Sequence, residues 1–383
     1  MPVQQLPPLS LYIHVPWCIR KCPYCDFNSH ASQENLPEQD YIQMLLADLD
    51  ADLHYVRERE IQSIFIGGGT PSLLSVSAYQ NLFQGLKARL KFAPDCEITL
   101  EANPSTFEAE KFLGYRQLGI NRLSIGVQSF NDKHLKKLGR VHDAKQALLA
   151  IELAQKAGFD NFNIDLMHGL PEQSISDALA DLTQALAFAP THLSWYQLTI
   201  EPNTEFYKRP PVLPQDDALW DIQEAGLMLL AQQGFEHYEI SAFAKPNKQA
   251  KHNLNYWQFG DYLGIGAGAH GKITLLHCNE IIRTQKTRLP KDYLNANKIN
   301  KSSLSLISQE DIGLECLMNA LRLKKGISVE DFSSRTGLNL DSVAKPLAKA
   351  QKLGLLHLDE RIYASEKGQQ FLNQLLALFL TDH

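Results

Sequence analysis

The chain has 383 residues, 44% of them hydrophobic and 21% charged, and its net charge is -6; that is more than one core of roughly 250 to 300 residues accommodates, so a large domain with a smaller companion is expected. Its longest apolar runs, such as 375–380, fall far short of the roughly 20 residues of a membrane span, and its acidity argues against bulk electrostatic binding of nucleic acid. Residues 1–10 carry no charged segment leading into an apolar one, and six cysteines in a chain of this length suit a reducing compartment, so the cytoplasm is the expected location.

The first predicted strand, 11–15, runs into Cys18, Cys22 and Cys25, spaced C-x3-C-x2-C. Three thiolates can hold three irons of a 4Fe–4S cube and leave the fourth open to a small ligand. A zinc site completed by His14 or His30 is the alternative, although zinc ligands usually come as two separated pairs. Cys96, Cys278 and Cys316 are scattered and read as small buried hydrophobes. Tyr41, Leu45, Leu46, Leu49, Leu53 and Val56 share one face of a helix. Strands follow at 63–66, 97–100, 122–125, 162–166 and 192–200, with 236–240 a further candidate, and helical patterns lie between them. Such alternation signals βα units on a parallel sheet.

Gly67-Gly68-Gly69-Thr70-Pro71-Ser72 comes after the second strand, where residues without side chains let the backbone approach a ligand. Glu101 follows the third strand and Gln128 the fourth. A βα barrel gathers its chemistry at these strand ends. Further on, His252-Asn253-Leu254-Asn255-Tyr256-Trp257 offers an imidazole that can ligate iron beside two flat aromatic faces. Gly264, Gly266 and Gly268 lack the spacing of a dinucleotide fingerprint and read as a close-packed loop near the barrel mouth. Beyond 301 the order helix, turn, helix, strand pair, helix resembles a winged helix. Its ten basic and ten acidic residues cancel, which disfavours a DNA reader.

The three cysteines and the 67–72 element together resemble the radical S-adenosylmethionine (SAM) superfamily. Within it the chain is similar to the oxygen-independent coproporphyrinogen III oxidase family. That likeness rests on Tyr12, the glycine element, Glu101 in Leu-Glu-Ala-Asn-Pro, Gln128 in Gly-Val-Gln-Ser-Phe, Arg140, and Asp165 in Asn-Ile-Asp-Leu-Met-His-Gly-Leu-Pro. Two departures separate it from the oxidase. Asp26-Phe27 stands where the oxidase motif continues to a fourth cysteine, and only 17 residues precede Cys18. Both features, with the His-Asn-x-x-Tyr-Trp run at 252–257, resemble the HemW subfamily of heme chaperones.

This resemblance implies an α/β fold: a partial (β/α)6 TIM-like barrel of radical SAM type over 1–245, a connecting segment over 246–300, and a winged-helix-like domain over 301–383. It implies a 4Fe–4S cluster on Cys18, Cys22 and Cys25. It further implies SAM held by Tyr12, Gly68, Gly69, Thr70, Glu101, Gln128, Arg140 and Asp165, and heme handled by His252, with no catalytic residue assigned. The implied function is to bind heme and transfer it to acceptor hemoproteins, respiratory membrane enzymes being one candidate class. A homodimer in at least one cofactor state is implied as well, and no nucleic-acid partner. The alternative activity is oxidative decarboxylation of coproporphyrinogen III.

Overall fold

The computed structural model describes residues 5–32, 35–56, 58–295 and 302–380; the expected boundary at 300/301 lies outside them. Six parallel strands follow one another in the chain: β1 (Leu9–Val15), β2 (Glu60–Gly68), β3 (Lys91–Ala102), β4 (Arg122–Gln128), β5 (Phe162–His168) and β6 (His192–Gln197). In β1 and β5 every position but one is buried, the pattern of strands covered on both faces. Helices α1 (Glu38–Asp52), α2 (Val76–Lys87), α3 (Ala144–Lys156), α4 (Ile175–Leu186) and α5 (Asp216–Gln232) lie between strands. Ser75, Asp143 and Ser174 start α2, α3 and α4 by accepting a backbone N–H three residues on, which satisfies a donor the first helical turn leaves unpaired.

The candidate strand at 236–240 is present as β7 (Glu236–Glu239), but it forms a hairpin with β8 (Ala242–Ala244), and β8 pairs antiparallel with β6. The chain then crosses back through α6 (Lys251–Trp257) and lays β9 (Asp261–Ile265) parallel to β1, with Tyr12 beside Gly264. Residues 246–300, read from sequence as a connection, therefore contribute a seventh parallel strand. Periodicity concealed β9 because it is five residues long, opens on an acid and runs into the glycine loop. The charge of Asp261 is held there by Lys272 and Arg59, both at 2.8 Å. Antiparallel β10 (His270–Leu275), β11 (Glu280–Lys286) and β12 (Ser302–Leu306) extend the sheet, whose order is β12-β11-β10-β9-β1-β2-β3-β4-β5-β6-β8-β7.

The C-terminal module has α7 (Asp311–Ala320), α8 (Val329–Thr336) and α9 (Ala344–Lys352) around a small sheet of β13 (Ile327–Ser328), β14 (Leu356–Leu358) and β15 (Arg361–Ala364). Its core takes in Phe259 and Ile281 from the larger unit, and Arg283 pairs with Glu315 across the junction. The module thus packs on the barrel. No helix among the described residues is long and apolar enough to cross a membrane.

Candidate functional site

The cysteine loop is anchored at both ends. A two-residue ladder pairs Trp17–Cys18 with His30–Ala31, and Cys25 N–H donates to Cys22 C=O at 3.1 Å. Cys18 is buried and Cys22 and Cys25 are half-buried. Burial pushes the Cys18 thiol up. Arg140 brings Nη1 to 3.6 Å from Cys22 Sγ, and its Nη2 donates to Asn103 Oδ1 (2.6 Å) and Gly126 C=O (2.7 Å). Among the described residues no group of His, Cys, Asp or Glu forms a ready-made metal site. The three thiols nevertheless line one cavity, beside a fixed cation, and soft donors next to positive charge suit an anionic iron–sulfur cluster.

The glycine element fixes that loop from below. Gly69 N–H donates to Val15 C=O and Thr70 N–H to Trp17 C=O, so these amides are spent on the loop. A Cβ on Gly69 would meet Trp17 O at 2.4 Å, and one on Gly68, whose φ is +115°, would meet the His14 ring at 2.5 Å. Gly68 N–H donates to Glu101 Oε2 at 3.0 Å. Asp165 is held by Ser124 Oγ (2.9 Å) and Asn163 Nδ2 (2.8 Å). Burial, with the Asp165 charge adding to it, pushes Glu101 up to about 8. Gln128 ends β4 with φ +71° and accepts from Tyr196 O–H at 2.7 Å. This left-handed backbone at a side-chain-bearing residue turns its amide into the barrel mouth.

The cavity beneath the cysteines has a volume of ≈ 410 Å³. It is lined by Gly68, Gly69, Thr70, Glu101, Gln128, Arg140 and Asp165 as well as the three thiols. Tyr12 and His252 fall instead on a second cavity of ≈ 660 Å³, which shares Phe27, Phe65, Gly68, Glu101, Asn253 and Trp257 with the first. There Tyr12, Phe65 and His252 form a run of rings, with centroids 6.3 Å apart for Tyr12 and Phe65 and 5.2 Å for Phe65 and His252. Tyr256 lies 5.1 Å from Trp257 and 4.9 Å from Tyr262. His252 is itself buried, with Nδ1 3.2 Å from Ser63 Oγ, and burial lowers it to about 3, so it is a neutral imidazole.

Two residues hold this arrangement together: Asn103, to which sequence reading assigned no role of its own, and His14, read there only as an alternative zinc ligand. Asn103 joins Thr70 Oγ1 (3.0 Å) to Arg140, and His14 joins Tyr12 O–H (2.8 Å) to Asn28 C=O (2.9 Å). Each stands two positions after an assigned residue, Glu101 or Tyr12. The period-two alternation along an extended chain was therefore the signal that could have found them.

A model of the radical SAM superfamily matches residues 12–183, and one of the HemN C-terminal domain matches 307–371. The chain is 53% identical over 379 residues to the heme chaperone HemW of Escherichia coli strain K12, covering 99% of this chain and 100% of that one. It is 51% identical to the heme chaperone HemW of Haemophilus influenzae Rd over 99% of both chains. To that of Bacillus subtilis 168 it is 35% identical, over 97% and 99% respectively. Among solved structures, coproporphyrinogen III oxidase (HemN) from Escherichia coli, a radical SAM enzyme, superposes with a TM-score of 0.82. At 24% identity, over 98% of this chain and 90% of that one, this match establishes the fold.

Proposed function

Because the chain belongs to the HemW family of heme chaperones, we propose that it binds heme in the aromatic cavity and hands it to acceptor hemoproteins, while a 4Fe–4S cluster and SAM occupy the adjoining polar one. The observation that carries this reading is the pair of adjoining cavities, one holding the three thiols, Arg140 and Asp165 and the other the rings of Tyr12, His252, Tyr256 and Tyr262, with a common wall at Phe65, Gly68 and Glu101. A cluster held by Cys18, Cys22 and Cys25 supplies, when bound, an open iron and an electron. Gly68, Gly69, Thr70, Glu101, Gln128, Arg140 and Asp165 surround the space for SAM, and Tyr12 closes it from the side of the second cavity. A sulfonium and an ammonium are cations, and Glu101 ionises in their presence. Arg140 keeps its charge against the cluster loop through its bonds to Asn103 and Gly126.

On the other side of the wall, Tyr256 and Trp257 offer flat apolar faces to a macrocycle, and His252 lines the same cavity against Phe65 and Tyr12. The chaperone would work in the cytoplasm and without nucleic acid. The position corresponding to the oxidase's fourth cysteine is Phe27, whose side chain is exposed, so the loop carries no fourth thiol there. The test is anaerobic reconstitution with iron and sulfide, followed by hemin titration and an assay of coproporphyrinogen III conversion with SAM and reductant. Stoichiometric heme binding without conversion is expected; conversion without stable heme binding would replace the chaperone by an oxidase.

A further inference from the structure

Three histidines line the aromatic cavity: His14, His252 and His270. A heme iron takes one imidazole nitrogen as an axial ligand. That nitrogen must stand clear of its neighbours, because a rigid macrocycle wider than the imidazole has to lie against it. His14 uses both nitrogens, Nδ1 toward Tyr12 O–H and Nε2 toward Asn28 C=O. His252 has only 7% of its surface exposed, hydrogen-bonds Ser63 through Nδ1, and is flanked by Phe65 and Tyr12. His270 is exposed, and no hydrogen bond to either of its ring nitrogens is found among the described residues.

The backbone of His270 is fixed even though its ring is free. A Cβ on Gly264 would meet His270 O at 1.9 Å, so β9 passes directly against it. Gly266 packs in the same way on His14 O (2.4 Å) and Gly268 on the Asn28 side chain (2.1 Å). The glycine loop that sequence reading left without a ligand therefore clamps the cluster loop with one end and sets His270 at the cavity edge with the other. Arg288 lines the same cavity, is exposed, and makes no ion pair among the described residues. It is thus available to a carboxylate.

We infer that His270 is the axial ligand of heme in this cavity and that Arg288 pairs with a heme propionate. The inference rests on the heme-binding reading above. A volume of ≈ 660 Å³ lies within the range of about 300–1,000 Å³ typical of cofactor sites. Burial, together with the charges of Arg283 and Arg288, holds His270 below the ordinary histidine range, which keeps the imidazole neutral and its lone pair available.

The test is hemin titration of the full-length reconstituted protein and of three variants, followed by visible absorption and electron paramagnetic resonance. His270→Ala is expected to lose the imidazole-ligated spectrum and to bind hemin about tenfold more weakly or worse, and added imidazole should restore the spectrum. Arg288→Ala should keep the spectrum and weaken binding about threefold, as loss of one exposed ion pair does. His252→Gln should keep the axial signature at reduced affinity. An unchanged spectrum in His270→Ala, with loss in His252→Gln, would overturn the ligand assignment and leave heme binding standing. Failure of the wild-type protein to bind hemin at all would overturn both.

Discussion

The protein buries two pairs of carboxylates and treats them in opposite ways. On the outer side of the glycine loop, Asp48 and Asp52 of α1 share Lys286, whose Nζ lies 2.6 Å from each and is wholly buried. Asp48 also accepts from Tyr293 O–H (2.6 Å) and Gly266 N–H (3.0 Å). Burial opposes the charge on Lys286, but the two aspartates outweigh it and push the ammonium above its usual range. In the barrel, Glu101 and Asp165 face one cavity with no ion pair to either among the described residues, and Glu101 rises to about 8. A compensated pair is architecture. Without such a cation Glu101 keeps its proton until a positive charge arrives, and that makes it the better marker of a ligand site.

The largest effect follows from breaking the compensated pair. Lys286→Met leaves two buried carboxylates without their cation and should cost roughly 3 to 5 kcal/mol of stability, read by urea unfolding. The uncompensated pair should respond in the other sense. Glu101→Gln should leave the unfolding midpoint unchanged or raised, while SAM affinity measured by equilibrium dialysis falls about 10- to 100-fold, the range for losing a hydrogen bond to a charged group. Gly68→Ala tests the wall that both cavities share. Its φ of +115° and the His14 ring at 2.5 Å predict a loss of about 1 to 3 kcal/mol, together with weaker binding of both ligands.

The smallest effect, within a single pH unit, is also the most diagnostic. Below about pH 8 Glu101 holds a proton that a cationic ligand must displace, so SAM affinity should fall by up to about tenfold per pH unit as the pH drops. Above that value the carboxylate is already ionised and affinity should be flat. Calorimetry in buffers of different ionisation enthalpy would read the released proton directly, and Glu101→Gln should abolish it.

The cysteine loop, the glycine element and the strand-end carboxylates were legible as features of one cavity because each is a local pattern: a cysteine spacing, a glycine run, a polar residue closing an apolar strand. The partial barrel was legible for the same reason, since strands buried on both faces read as continuous apolar runs. What could not be read was long-range. Asp48, Asp52 and Lys286 look like ordinary surface charges on α1 and β11, and nothing local says that they meet. The glycine loop was read correctly as close-packed, yet its partners, His14 and Asn28, come from the far end of the chain. Tyr12 and His252 were assigned to different ligands and share one cavity, because β9 brings α6 back beside β1.

The measurement that tests the two-cavity account most directly is a joint titration of the anaerobically reconstituted protein with SAM and hemin. The account predicts one equivalent of each bound at the same time, with the SAM site sensitive to Gln128→Ala and the heme site sensitive to Tyr256→Ala, residues that each line one of the two cavities and not the other. Mutual exclusion of the two ligands, with both affinities abolished by either substitution, would mean a single shared site and would contradict it.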